Sequence, residues 1–328
     1  MIVSGSKTSF WTTSPHGKAW LLIGLITAAD LVGMHLSGRR VVFPGGSHTV
    51  PAFFAIALVI VWIQIRVKTI RNGNGKWIAA LLDLAFTGRW MITLAAFCIA
   101  TNVLTHLSVV AGFSLIDEQL VKADKAVGFD WVVWYQWVKR HPIFFSVINL
   151  AYASGLAQMI AVPLILGMTG RRTEFVYHVA RFMVATMICL GIATLFPAAS
   201  AFLHFHIMDP GTSATVSTFF PLRDGALRVI DLADPQGLVS MPSMHTTMAI
   251  LFAYALRRIA ILRYVGAILN ALMIMSTPTQ GGHYLSDTIA GVLLALVAIA
   301  SVRCLPCFGL SINRERRRKR TLQLDVDL

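Results

Sequence analysis

The sequence predicts an all-α fold, a polytopic transmembrane helical bundle of about eight spans. Three observations predict it. Hydrophobic residues make up 56% of the chain and the mean hydropathy is +0.69. Charged residues make up only 13%, about half of what the surface of a soluble domain carries. Apolar runs approaching the roughly 20 residues that cross a bilayer recur along the chain.

The elements follow in order. Residues 1–17 are polar, and no small-x-small site follows the first apolar run, so the run at 19–37 reads as a retained anchor. It carries Asp30 and His35, which suit a helix end better than mid-membrane. Further runs lie at 51–66, 90–112, 143–167, 181–203, 243–257, 264–280 and 283–304, the second and sixth being short. Between them, residues 113–142 mix charges with Trp131, Trp134 and Trp137, the pattern of an amphipathic segment at a membrane interface. Residues 204–241 form a long loop rich in Gly, Asp and Pro, and such loops beside a membrane core are where sites are built. The chain thus divides into N-terminal membrane segments (1–112), the interfacial segment (113–142), a membrane core (143–305) and a basic tail (306–328).

A net charge of +13 could suggest nucleic acid, but its placement excludes that reading. With the N-terminus inside and eight alternating spans, only Arg39, Arg40, Lys122, Lys125, Lys139, Arg140, Arg223 and Arg228 fall outside. The other basic residues, including the NRERRRKR tail, lie inside, which predicts both termini in the cytoplasm. The tail is then a topology and headgroup feature. The cysteines are Cys98, Cys189, Cys304 and Cys307; the CLPC pair at the inner end of the last run suits lipid modification better than redox chemistry or metal binding.

On this topology the polar clusters converge. The sixth run opens at the outer face with Pro242, Ser243, Met244 and His245. The seventh ends there in STPTQGGH, and the eighth begins with His283 and carries Asp287 four residues on. That spacing puts imidazole and carboxylate on one helix face. Free N–H groups at helix starts favour phosphate oxygens. A carboxylate fixes the tautomer of one histidine as nucleophile, and a second histidine can donate a proton. The constellation suits transfer of an anionic group. A proton or ion relay through Asp30, His245, His283 and Asp287 would instead need polar residues along a path through mid-membrane, and the interiors of the last three runs are apolar.

PSMH followed by HYLSD resembles the second and third signatures of the type 2 phosphatidic acid phosphatase superfamily. The last signature is closer to the inositol phosphorylceramide synthase branch, His-aromatic-x-x-Asp followed by Gly and a small residue, here His283, Tyr284, Asp287, Gly291 and Ala295. The resemblance covers roughly residues 143–305. It implies a six-helix-type core, metal-independent chemistry with no cofactor, and a lipid phosphate or phospholipid as substrate. It also implies His283 as a nucleophile forming a phosphohistidine, Asp287 as its orienter, His245 as proton donor and Ser243 as a phosphate ligand. Four departures stand out. Met244 replaces the glycine of the second signature, so the expected phosphate contact there is greasier and narrower. Thr277 replaces an arginine, Thr288 an aliphatic residue, and the first signature, Lys with a later Arg-Pro, is absent. Arg223, with Arg228 second, is the expected replacement cation, because both lie in the loop before the sixth run. His204 and His206 read as interfacial caps. Water as acceptor would make the chain a lipid phosphate phosphatase, an alcohol a headgroup transferase; the missing arginines and the synthase-like signature favour transfer. The lipid and the oligomeric state are left open by the sequence.

Overall fold

A computed structural model describes residues 14–42, 75–209, 217–232 and 237–304. The second expected span (51–66) and the basic tail (306–328) lie outside the described residues.

Helix α1 (Pro15–Ser37) starts where Ser14 accepts the Gly17 N–H at 3.0 Å and Pro15 needs no donor partner, and ends at Gly38 in the left-handed region. A short strand β1 (Arg40–Val42) follows. Helix α2 (Gly75–Val110) runs parallel to α1: Thr93 Oγ1 lies 3.0 Å from His16 Nε2, and Gly33 sits against Leu107 farther along. Asp30, expected near a helix end, is buried 3% exposed within α1.

Two short helices, α3 (Asp117–Ala126) and α4 (Trp131–Arg140), occupy the expected interfacial segment, with Asp130 capping α4 through the N–H groups of Val132 and Val133. Then come α5 (Pro142–Met168) and α6 (Arg172–Leu195). Helix α6 begins nine residues before the expected 181, because Glu174 accepts Arg181 and Arg257 and neutralises charge inside the helix. It ends before Pro197, and residues 196–200 become a loop instead of continuing a span to 203. Helices α7 (Ala201–His204) and α8 (Phe219–Arg223) and strand β2 (Val229–Asp231) lead to α9 (Met244–Leu256), α10 (Ala260–Gln280) and α11 (Leu285–Cys304).

Strands β1 and β2 pair in parallel, Val41 opposite Ile230. Arg39 is buried beneath them and donates to the carbonyls of Leu222 and Leu227 at 2.6 and 2.7 Å. This ties the end of α1 to the loop that precedes α9. Helices α1, α2, α5, α6, α10 and α11 are long and apolar enough to cross a membrane. Helix α9, with 13 residues, spans about 20 Å and falls short of the hydrocarbon thickness. It is the central element, packed against α5, α6, α10 and α11. The approach to α11 is closest at Gly291, where a Cβ would come within 2.5 Å of the Ser243 carbonyl. Thr247 Oγ1 uses that closeness to donate to the Gly291 carbonyl at 3.0 Å. The chain is therefore an all-α integral membrane bundle whose short central helix starts beside the middle of α5, at the end of α10 and the start of α11.

Candidate active site

Helix α9 starts at Ser243, which follows a cis Met241–Pro242 bond. Ser243 is fully buried and its Oγ accepts the Thr246 N–H at 3.4 Å, so the expected phosphate ligand is a helix cap facing its own backbone. The Met244 side chain, expected to make the phosphate contact narrower and greasier, is partly buried against apolar neighbours. It packs into the apolar clusters between α6, α9 and α11. What remains at the helix start is backbone: among the described residues, no hydrogen bond takes the N–H of Met244 or His245.

His245 stacks on Tyr152 of α5, ring centroids 4.2 Å apart, and its Nδ1 lies 3.3 Å from the Tyr152 hydroxyl. The sequence reading missed Tyr152, which sits in an apolar run with no motif around it. The second histidine faces this pair, with the His245 and His283 ring centroids 6.5 Å apart. That is too far for a direct hydrogen bond between the rings and leaves space between them.

His283 precedes α11 instead of lying on it, so the predicted shared helix face with Asp287 does not exist. His283 Nδ1 lies 2.9 Å from the Ser240 carbonyl and 3.6 Å from Asp287 Oδ2. A carbonyl only accepts, so Nδ1 carries the proton of the neutral ring and the lone pair is on Nε2. Asp287 acts one step removed. Its Oδ2 accepts the Ser240 hydroxyl at 2.6 Å and the Tyr284 N–H at 3.0 Å, the second bond being half of a capping box for α11. Ser240 therefore touches the imidazole with its carbonyl and the carboxylate with its hydroxyl.

The GG pair before His283 leaves the far nitrogen open. A Cβ on Gly281 would stand 3.0 Å from His283 Nε2 and 2.9 Å from the Tyr152 hydroxyl. Gly282 has φ +67 and lies against Ser200 and Phe202, a conformation and a closeness that other residues do not tolerate.

The expected interfacial segment holds this loop in place. Asp117 and Asp124, buried on one face of α3, reach across to it. Asp117 accepts the Tyr284 hydroxyl at 2.8 Å and the N–H groups of Ala199 and Ser200. Asp124 accepts the N–H groups of Leu285 and Ser286 at 2.8 Å and the Ser286 hydroxyl at 2.5 Å. The start of α11, expected to be free for phosphate, is thus taken by a carboxylate. Trp131 of α4 donates its indole N–H to the carbonyls of Pro278 and His283, both at 3.1 Å. Burial and the Asp117 carboxylate raise the Tyr284 pKa, keeping the phenol protonated as donor. The seven-residue spacing of Asp117 and Asp124 on an amphipathic helix is the sequence signal for this contact.

The expected cations lie elsewhere. Arg223 donates to the carbonyls of Gly112 and Phe113, capping the end of α2, and Arg228 is exposed beside β2. Among the described residues, no Lys or Arg is bonded to His245, His283 or Asp287. The place of the missing signature arginine is filled by a fully buried hydroxyl: Thr277 Oγ1 pairs with Thr288 Oγ1 at 3.1 Å and reaches Thr246 at 3.5 Å. Two departures from the signature pattern, Thr277 and Thr288, are therefore one hydrogen-bonded pair. A cavity of about 180 Å³ under α3 and α4 is lined by Asp124, Trp131 and Tyr284 and excludes both histidines.

A family model described as the PAP2 superfamily matches residues 118–301, more than half of the chain and all of the elements just described from α3 to α11. The chain belongs to the PAP2 superfamily, whose members act as phosphatases or phosphotransferases on lipid phosphates. No curated protein and no solved structure is similar to it at a significant level.

Proposed function

We propose that the chain is a metal-independent lipid phosphotransferase of the inositol phosphorylceramide synthase type, working through a phosphohistidine on His283. One observation carries the reading: His283 Nε2 is left open by Gly281, with Nδ1 held on the Ser240 carbonyl, facing His245 across 6.5 Å. The lone pair on Nε2 attacks phosphorus as the bond to the donor's oxygen breaks. His245 gives that departing oxygen its proton, and Tyr152 holds the His245 ring by stacking and through Nδ1. In the second half the acceptor hydroxyl loses its proton to His245, attacks phosphorus and releases His283. Asp287, through Ser240, supports the positive charge that builds on the phosphorylated ring. The free N–H groups of Met244 and His245 at the start of α9 receive the phosphoryl oxygens.

Among the described residues no Lys or Arg is bonded to His245, His283 or Asp287, which supports a donor with little negative charge. A phosphodiester carries one charge, and a phosphomonoester nearly two. Two uncharged N–H groups at a helix start compensate the first better than the second. That favours a phospholipid donor and an alcohol acceptor over hydrolysis of a lipid phosphate monoester. The positive-inside distribution supports cytoplasmic termini and a site at the extracytoplasmic face.

The test is a screen of purified protein in detergent with a phospholipid plus diacylglycerol or ceramide, phosphatidic acid, and a polyprenyl diphosphate. Free phosphate and new lipid are followed together. Transfer of the phospholipid headgroup is the expected result. Release of inorganic phosphate from phosphatidic acid without any transfer product would make water the acceptor and the chain a phosphatase.

A further inference from the structure

At the end of the bundle opposite the histidines, three helices bring together charges that do not balance. Arg181 of α6, Arg257 after α9 and Arg303 of α11 surround the ring of Tyr254, at 4.8, 3.6 and 5.4 Å from its centroid. Glu174 is their one carboxylate among the described residues, accepting Arg181 at 2.9 Å and Arg257 at 2.8 Å. Among the described residues, Arg303 reaches only the hydroxyl and ring of Tyr254. The Arg181 side chain is 4% exposed, and its Nε is buried without a hydrogen-bond partner. His178, one turn along α6 and also buried, offers no negative charge to offset it.

A buried guanidinium with an unused N–H is costly, and ion networks built only for structure close their charges. Among the described residues, three arginines around one carboxylate leave two positive charges at a level where spans end, and where a bilayer supplies phosphate oxygens. Guanidinium forks bind such oxygens bidentately, and basic pockets between spans are where headgroups dock. We propose that Arg181, Arg257 and Arg303 form a binding site for the phosphate of an anionic phospholipid, in the leaflet opposite the catalytic site. The lipid there is a resident ligand and not the substrate, so the inference stands apart from the catalytic reading.

The experiment uses full-length His283→Ala protein in detergent, so that no lipid is consumed. Phosphatidylglycerol, phosphatidylcholine or inorganic phosphate is added, and thermal unfolding and lipid retention in native mass spectra are recorded. Phosphatidylglycerol should raise the midpoint and stay bound, while phosphatidylcholine does neither. Adding Arg303→Gln should weaken retention about fivefold, on the scale of one surface arginine per headgroup. Arg263→Gln, which removes an exposed arginine at the same end whose one side-chain partner among the described residues is Tyr264, should leave retention unchanged. Equal losses from both substitutions would mean nonspecific charge attraction and overturn the site. Unchanged retention in Arg303→Gln, or stabilisation by inorganic phosphate alone, would overturn it as well.

Discussion

Ser240 is the residue that joins the two halves of the candidate site, because its carbonyl holds His283 and its hydroxyl holds Asp287. Replacing it with Ala keeps the carbonyl and removes the hydroxyl, leaving a fully buried carboxylate short of one donor. Ser240→Ala should therefore lower kcat about tenfold with little change in KM, and steady-state kinetics would show the split. Tyr152→Phe keeps the stack on His245 and removes the hydroxyl near Nδ1, so a loss of similar size is expected, again in kcat. Gly281→Ala is a sharper case. Its methyl group would stand within 3 Å of both His283 Nε2 and the Tyr152 hydroxyl, so turnover should fall by more than about a hundredfold. Circular dichroism and the unfolding midpoint should stay near those of the wild type; a large drop in midpoint would mean that Gly281 is needed for folding instead. At this scale His245, His283 and Asp287 were legible in the sequence, because short motifs carry them. Tyr152 and Ser240 were not, since nothing local distinguishes a tyrosine or serine in an apolar or loop segment until the helices are packed. Arg223, the expected replacement cation, donates to backbone carbonyls at the end of α2, partners that a loop arginine finds nearby.

Among the elements, α3 was the least legible and has the most direct hold on the site loop. An amphipathic helix with two aspartates reads as a solvated face, yet both carboxylates point inward to hold Tyr284, Leu285 and Ser286. The reason is the start of α11, whose N–H groups need acceptors that its own sequence does not supply. Asp124→Ala leaves two half-buried N–H groups without their acceptor and should destabilise the protein by about 1 kcal/mol. Thermal unfolding in detergent would measure it, and a change under about 0.3 kcal/mol would mean that water replaces the carboxylate. Six of the eight expected spans are helices long and apolar enough to cross a membrane, while the run at 51–66 lies outside the described residues and α9 is too short. Span ends were less legible, since the ion pairs of Glu174 carry α6 back to Arg172 and the turn at Phe196–Pro197 ends it early.

For the whole molecule, the all-α membrane architecture follows from composition and run length, and the packed bundle adds a polarity to it. One end gathers the histidines, the open helix start and the α3–α4 clamp; the other gathers Arg181, Arg257 and Arg303. Transfer through His283 requires a covalent intermediate at the first end. The most direct measurement is rapid quench of the protein with a phosphorus-labelled donor, followed by the acid and base stability of any label on the chain. An acid-labile, base-stable label is expected on wild-type protein and absent from His283→Ala. Label that persists in His283→Ala, or turnover in that variant, would contradict transfer through His283.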